Sequence, residues 1–202
     1  MATTIKFGTD GWRAVIAEDY TFANVRIVTQ AVADFLHDER LAGRGLVVGY
    51  DTRFGSERFA IATAEVLAAN GIHVYLTEKA TPTPVICWSV LAKKAGGASI
   101  ITASHNPPTD NGYKYKPEYA GSASPEVVAK LEERLDRTPV KTMPLREAER
   151  QGLVERFNGT PDYVAQIKQM VDLEAIKRAG WTIMSDAMYG AGAGYLPMLL
   201  DG

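Results

Sequence analysis

The sequence predicts an α/β protein: a three-layer α/β/α domain on a mixed, mostly parallel sheet, with the start of a second domain of similar topology. Three observations carry this. Short apolar runs at Leu46–Tyr50, Ile72–Leu76 and Ala98–Ile101 read as buried strands. Segments with apolar residues at helical spacing separate them, and strands alternating with helices favour a sheet covered on both faces. Beyond Thr160, the order of helix, strand, Asp at the strand end, loop and helix seen up to Gly71 returns.

Taken in order, Asn24–Arg40 places Val25, Val28, Val32 and Phe35 on one helical face, with Gly43 just past its end. Leu46–Tyr50 follows as a strand. Ser56 is a candidate cap for a helix carrying Phe59, Val66 and Leu67, stopped by Asn70-Gly71. After the strand Ile72–Leu76, the rigid turn Thr81-Pro-Thr-Pro84 sets Pro84 to open a helix running through Ala95. Ala98–Ile101 is the third strand. Pro107 and Pro108 then forbid a helix or central strand, so the chain turns. Asn111-Gly112 reads as a second, hairpin-type turn that delivers Lys114 on the returning segment.

Ser124-Pro125-Glu126 starts a helix bearing Val127, Leu131 and Leu135. Asp136 to Gln151 is polar, proline-bearing and without sustained period, and reads as a linker; Leu153 to Phe157 offers a further strand. Thr160-Pro161-Asp162 begins a helix whose stripe Tyr163, Ile167, Met170 and Val171 suits packing. Trp181–Ser185 reads as a strand, followed by Asp186 and a glycine-rich turn into Tyr195–Leu200. Gly190, Gly192 and Gly194 do not have dinucleotide-loop spacing, and no acidic partner follows. The expected organisation is a first domain at 1–135, a linker at 136–158 and a truncated start of a second domain at 159–202.

Composition narrows the function. A net charge of −2 gives no global pull toward nucleic acid or anionic membrane, so anion recognition must come from local cations. No stretch reaches the length of a membrane span and no signal segment opens the chain, which makes a cytoplasmic protein the expectation. The single cysteine, Cys87, excludes an internal disulfide and reads as a small core residue. His37 and His73 have no companion ligands and read as structural.

Function concentrates in Ile100–Lys116. A buried strand ends abruptly in Thr102-Ala-Ser104-His105-Asn106-Pro107-Pro108, and Asn111-Gly-Tyr-Lys114 follows. A serine on a rigid loop at a strand end, with a lysine folded back toward it, suits a nucleophile and its proton-transfer partner. This string closely resembles the active-site loop of the α-D-phosphohexomutases, the superfamily of phosphoglucomutase, phosphomannomutase and phosphoglucosamine mutase enzymes. Phe7-Gly-Thr-Asp-Gly-Trp-Arg13 is similar to that family's N-terminal signature, and Gly49-Tyr-Asp51-Thr-Arg53, with Ser56 after it, to its second turn.

The resemblance implies roles. Ser104 would carry the phosphoryl group, give it to one end of a hexose phosphate and recover one from the other, through a bisphosphorylated sugar. Lys114 would serve as general base and acid, and His105 would orient substrate or assist proton transfer. Arg13 and Arg53 would hold phosphate oxygens, with Asn106 and Lys116 as weaker candidates. Implied cofactors are Mg²⁺, bound partly through the phosphorylated Ser104, and a hexose 1,6-bisphosphate activator. The implied partners are the hexose phosphate and domains II–IV of a mutase chain, with no nucleic acid and no membrane.

The departures are the family's Asp-Gly-Asp metal loop, its sugar-reading loop and its C-terminal phosphate clamp, none of which occurs here. Asp186 lies on a different strand end and is not promoted to a ligand. The expectation is a phosphohexomutase segment interconverting 1- and 6-phosphates, inactive on its own as residues 1–202. The alternatives are a non-catalytic phosphosugar- or partner-binding fragment and a serine-dependent phosphatase.

Overall fold

The computed structural model describes residues 5–8 and 11–200. In chain order the elements are β1 (Trp12–Val15), α1 (Phe22–Asp38), a 3-10 turn (Ala42–Arg44), β2 (Leu46–Tyr50), α2 (Ser56–Ala69), β3 (Val74–Thr77), α3 (Thr83–Lys93) and β4 (Gly97–Ile101). Then come β5 (Asp110–Pro117), α4 (Pro125–Glu132), α5 (Leu145–Arg150), β6 (Val154–Phe157), α6 (Thr160–Met170), α7 (Leu173–Arg178) and α8 (Tyr195–Leu200).

The strands form one mixed sheet in the order β1-β5-β4-β2-β3-β6. β4, β2, β3 and β6 are parallel neighbours, whereas β5 runs antiparallel to both β4 and β1. Alternation along the strands sends side chains to two cores. Leu46, Val48 and Tyr50 of β2 join Val25, Val28, Phe59 and Leu67 on one face, under α1 and α2. Val47 of β2 and Ala98 and Ile100 of β4 join Ile86 and Val90 of α3 on the other. The helix α3 comes in so close that a Cβ at Gly49 would collide with Ile86 Cδ1.

Local starts and stops follow side-chain chemistry. Thr21 Oγ1 accepts from the Asn24 N–H (3.2 Å), so α1 begins two residues earlier than the apolar periodicity suggested. Ser124 caps α4 as expected. Ser56 does not cap α2: Gly55, at φ 74°, takes that position, and the Ser56 hydroxyl turns to Asp51. Cys87 is half-buried against the second core.

Four sequence expectations need correction. Asn111-Gly112 is not a turn; both residues lie inside β5, and the turn falls earlier, around the two prolines. Gly112 is required there because a Cβ would strike the Thr102 carbonyl oxygen of the neighbouring chain segment. The 136–158 stretch is more than a linker: it carries α5, with Ala148 buried against the first core, while the strand offered at Leu153–Phe157 is present as β6, paired to β3. Trp181–Ser185 forms no strand: among the described residues it joins no ladder, and Trp181 and Met184 are exposed. The α6 stripe is only partly packed: Tyr163 and Ile167 are half-buried, whereas Met170 and Val171 are open to solvent. None of the described helices is long and apolar enough to cross a membrane.

Candidate active site

The serine loop leaves the carboxyl end of β4, where side chains of an open α/β sheet can reach a ligand. Ser104 is exposed and adopts φ 55°, the left-handed region that a non-glycine residue enters only when its surroundings hold it there. Its N–H donates to Thr102 Oγ1 (3.0 Å). Two short bonds shape the rest of the turn, from the Asn106 N–H to the Ala103 carbonyl (3.1 Å) and from the Asp110 N–H to the Pro107 carbonyl (3.1 Å). His105 is also exposed, with Nδ1 3.4 Å from Ser104 Oγ, which is a long contact for a proton-transfer pair.

The antiparallel β5 brings Lys114 back beside the strand that feeds the loop. Lys114 lies opposite Ile100 of β4 and is only 6% exposed. Arg13 arrives from the other side, on β1, paired with Gly112 of β5. Its Nη1 donates to Asn106 Oδ1 (2.7 Å), and Asn106 Nδ2 donates to Asp110 Oδ2 (2.9 Å). Asn106 therefore ties an arginine and a carboxylate into the loop. The structure thus gathers Ser104, His105, Asn106 and Arg13 around the end of β4, with the Lys114 backbone on the neighbouring β5. Thr9 and Asp10 of the N-terminal motif lie outside the described residues.

Arg53 reaches the same loop from the turn after β2 but addresses its backbone. Its four Nη hydrogens go to carbonyl oxygens of residues 104, 106, 107 and 110. Arg53 was expected to hold phosphate oxygens; in this structure its fork bonds the loop carbonyls. Behind it, Ser56 Oγ donates to Asp51 Oδ1 (2.8 Å) and Asn111 Nδ2 donates to Ser56 Oγ (2.9 Å). Sequence reasoning missed this buried network. Its signal was present in three polar residues, Asp51, Ser56 and Asn111, set at the ends of apolar strands and helices.

Two buried phenols, Tyr20 and Tyr113, support the strand that returns from the loop. Tyr20 OH donates to the Gly112 carbonyl (2.8 Å), and burial, helped by Tyr113 and Asp51, holds its phenol well above the usual tyrosine range. Burial pushes Tyr113 up to about 12, partly offset by its hydrogen bond with Ser99. Both phenols stay neutral at physiological pH and act as fixed hydrogen-bonding groups.

Among the described residues, no three His, Cys, Asp or Glu side chains converge as a metal site. Of the magnesium set that the family resemblance implies, the described residues contain the Ser104 oxygen. Lys116 is buried on β5 and donates to Ser122 Oγ (3.2 Å), away from the loop. The Asp186 carboxylate accepts from the Met188 N–H in a local turn. His37 bonds the Asn70 carbonyl and His73 packs on Tyr75, both consistent with structural roles.

Known proteins share this architecture and sequence. The family model for phosphoglucomutase/phosphomannomutase, alpha/beta/alpha domain I, matches residues 4–141. A phosphoglucomutase of Komagataeibacter xylinus is 29% identical over 98% of this chain and 38% of its own length. A phosphoglucomutase/phosphomannomutase of Thermococcus kodakarensis is 32% identical over 96% of this chain and 42% of its own. A solved structure of a phosphomannomutase-type protein from Thermus thermophilus superposes with a TM-score of 0.87 at 36% identity, covering 100% of this chain and 44% of that one. The chain thus spans about two-fifths of the length of these relatives. Fold, motif order and sequence agree, and the chain belongs to the phosphoglucomutase/phosphomannomutase family, of which it carries the first α/β/α domain.

Proposed function

We propose that this chain is the nucleophile-bearing part of a phosphohexomutase that interconverts 1- and 6-phosphates of a hexose through a phosphoserine at Ser104. The observation that carries the reading is the Ser104 turn: an exposed hydroxyl on left-handed backbone at the end of β4, with Arg13 bonded into the same loop through Asn106 and Lys114 on the adjacent strand β5. Phosphoryl transfer requires mainly positioning and positive charge, and these elements supply both.

In the forward step the phosphate on Ser104 passes to a sugar hydroxyl. The bond from phosphorus to Ser104 Oγ breaks, a bond to the sugar oxygen forms, and Lys114 takes the hydroxyl proton and passes it to the departing Ser104 oxygen. The bisphosphorylated sugar turns over, and Ser104 Oγ then recovers a phosphoryl group from its other end, its hydroxyl proton passing through Lys114 to the leaving sugar oxygen. Arg13, fixed by Asn106, supplies charge to the phosphate oxygens. Magnesium would add charge stabilisation when bound, with ligands besides Ser104 lying outside these residues.

Incubation with glucose 1,6-bisphosphate and Mg²⁺, followed by peptide mass spectrometry, tests this. Phosphate is expected on Ser104 and lost in Ser104→Ala. Ser56 and Ser99 are buried, each with a hydrogen-bond partner; stoichiometric phosphate on either, with none on Ser104, would overturn the reading. Steady release of inorganic phosphate without sugar acceptor would make the protein a phosphatase instead.

A further inference from the structure

Arg53 sits in the turn between β2 and α2, far from the serine loop in sequence, yet the loop is where its donors go. Nη1 donates to the carbonyls of Pro107 (2.8 Å) and Asp110 (3.0 Å), and Nη2 to those of Ser104 (2.9 Å) and Asn106 (2.6 Å). Nε faces Asp51 Oδ2 at 3.5 Å. Asp51 Oδ1 in turn accepts from the Arg53 N–H (2.9 Å) and from Ser56 Oγ, so the carboxylate aims the side chain. A guanidinium has five N–H groups, and here four bind loop carbonyls while the fifth points at Asp51.

The loop needs such a partner. The carbonyls of Asn106 and Pro107 belong to peptide groups that end on the nitrogens of Pro107 and Pro108. Those groups carry no N–H of their own; the Pro107 oxygen accepts from the Asp110 N–H inside the loop as well as from Arg53, whereas the Asn106 oxygen is bonded by Arg53 Nη2. Ser104 holds a backbone conformation that costs a non-glycine residue about 1–3 kcal/mol unless its surroundings fix it. Capturing the Ser104 carbonyl fixes the peptide plane that follows the serine. Across that trans peptide the His105 N–H points away from Arg53.

We infer that Arg53 is a positioning residue for Ser104, which locks the serine loop through four backbone carbonyls and leaves phosphate binding to other groups. The inference rests on the phosphoserine reading above. A lysine keeps the charge and the stem, but its compact ammonium cannot span four oxygens. A reacting atom misplaced by about 1 Å can lose on the order of 100-fold in rate.

The test is Arg53→Lys in the complete gene product, with two readouts. The first is kinetics with hexose phosphate. Turnover is expected to fall roughly 10–100-fold at nearly unchanged KM, because Arg53 touches the loop and not the substrate. A raised KM with unchanged kcat would place Arg53 on the substrate phosphate and overturn the inference. The second is amide hydrogen exchange, which needs no turnover. The amides of Ser104, Asn106 and Asp110 are expected to exchange about tenfold faster or more, with the β4–β5 ladder amides of Ile100 and Lys116 unchanged. Unaltered exchange in the loop would sink the inference even if activity fell. A wild type with neither turnover nor phosphate on Ser104 would refute the phosphoserine reading, and the exchange data would then decide separately whether Arg53 orders the loop.

Discussion

Asn111→Asp changes one terminal group of a side chain with 0% exposure and leaves its shape intact. Asn111 Nδ2 donates to Ser56 Oγ (2.9 Å) and to the Phe54 carbonyl (3.3 Å), and Oδ1 accepts from the Gly112 N–H (2.8 Å). In the variant, an oxygen replaces the donor. It then faces a carbonyl oxygen and a hydroxyl whose proton already goes to Asp51. Burial and the nearby Asp51 carboxylate both disfavour a second negative charge, so the new carboxyl titrates higher in the folded protein than in the unfolded one. A rise of about 2–3 units costs about 3–4 kcal/mol at neutral pH.

The sign fixes the pH window. The penalty is absent below the unfolded value near about 4 and grows as pH rises through the folded value. In acid a residual cost of about 1 kcal/mol remains, since a protonated carboxyl donates one hydrogen bond where the amide donates two. Urea unfolding of wild type and variant at intervals from about pH 4 to 7.5 measures the difference. A gap that is the same across this range, or below about 1 kcal/mol at neutral pH, would refute the account of Asn111 as the buried donor behind the serine loop.

Two further predictions follow from the same geometry. Lys114→Met in the complete gene product is expected to lower kcat by roughly 10²–10⁴-fold, the range of general acid–base groups, with little change in the unfolding midpoint because methionine retains much of the packed stem; near-normal turnover would show that the proton moves elsewhere. Gly49→Ala is expected to cost about 1–3 kcal/mol by forcing Ile86 and α3 off the sheet, and to lower the melting temperature by about 2–4 °C for each kcal/mol. An unchanged melting temperature would mean that α3 can shift freely.

The elements carried by local signals were legible in the sequence. Leu46–Tyr50 has its observed bounds because five apolar or small residues stand between two turn regions, and Ser124-Pro125 marks a real helix start. What escaped depended on contacts distant in the chain. β1 is a four-residue edge strand defined by its pairing with β5, and nothing local distinguishes it. Asn-Gly is a turn signal in isolation, but at Asn111-Gly112 the asparagine serves a buried network and the glycine admits a neighbouring carbonyl. At the site, the serine turn was readable from its prolines. The role of Arg53 was not, because four backbone carbonyls leave no mark on the identities of the residues that bear them.

The tryptophans occupy opposite extremes of polarity. Trp12 is 3% exposed and stacks on Tyr20 with ring centroids 4.9 Å apart, in the strand that also carries Arg13. Trp181 is 73% exposed, in the segment between α7 and α8. An aqueous quencher such as iodide reaches Trp181 first and Trp12 last, with the half-buried Trp88 between them. The emission that survives quenching belongs chiefly to the edge strand beside the serine loop, which gives that strand an intrinsic optical probe.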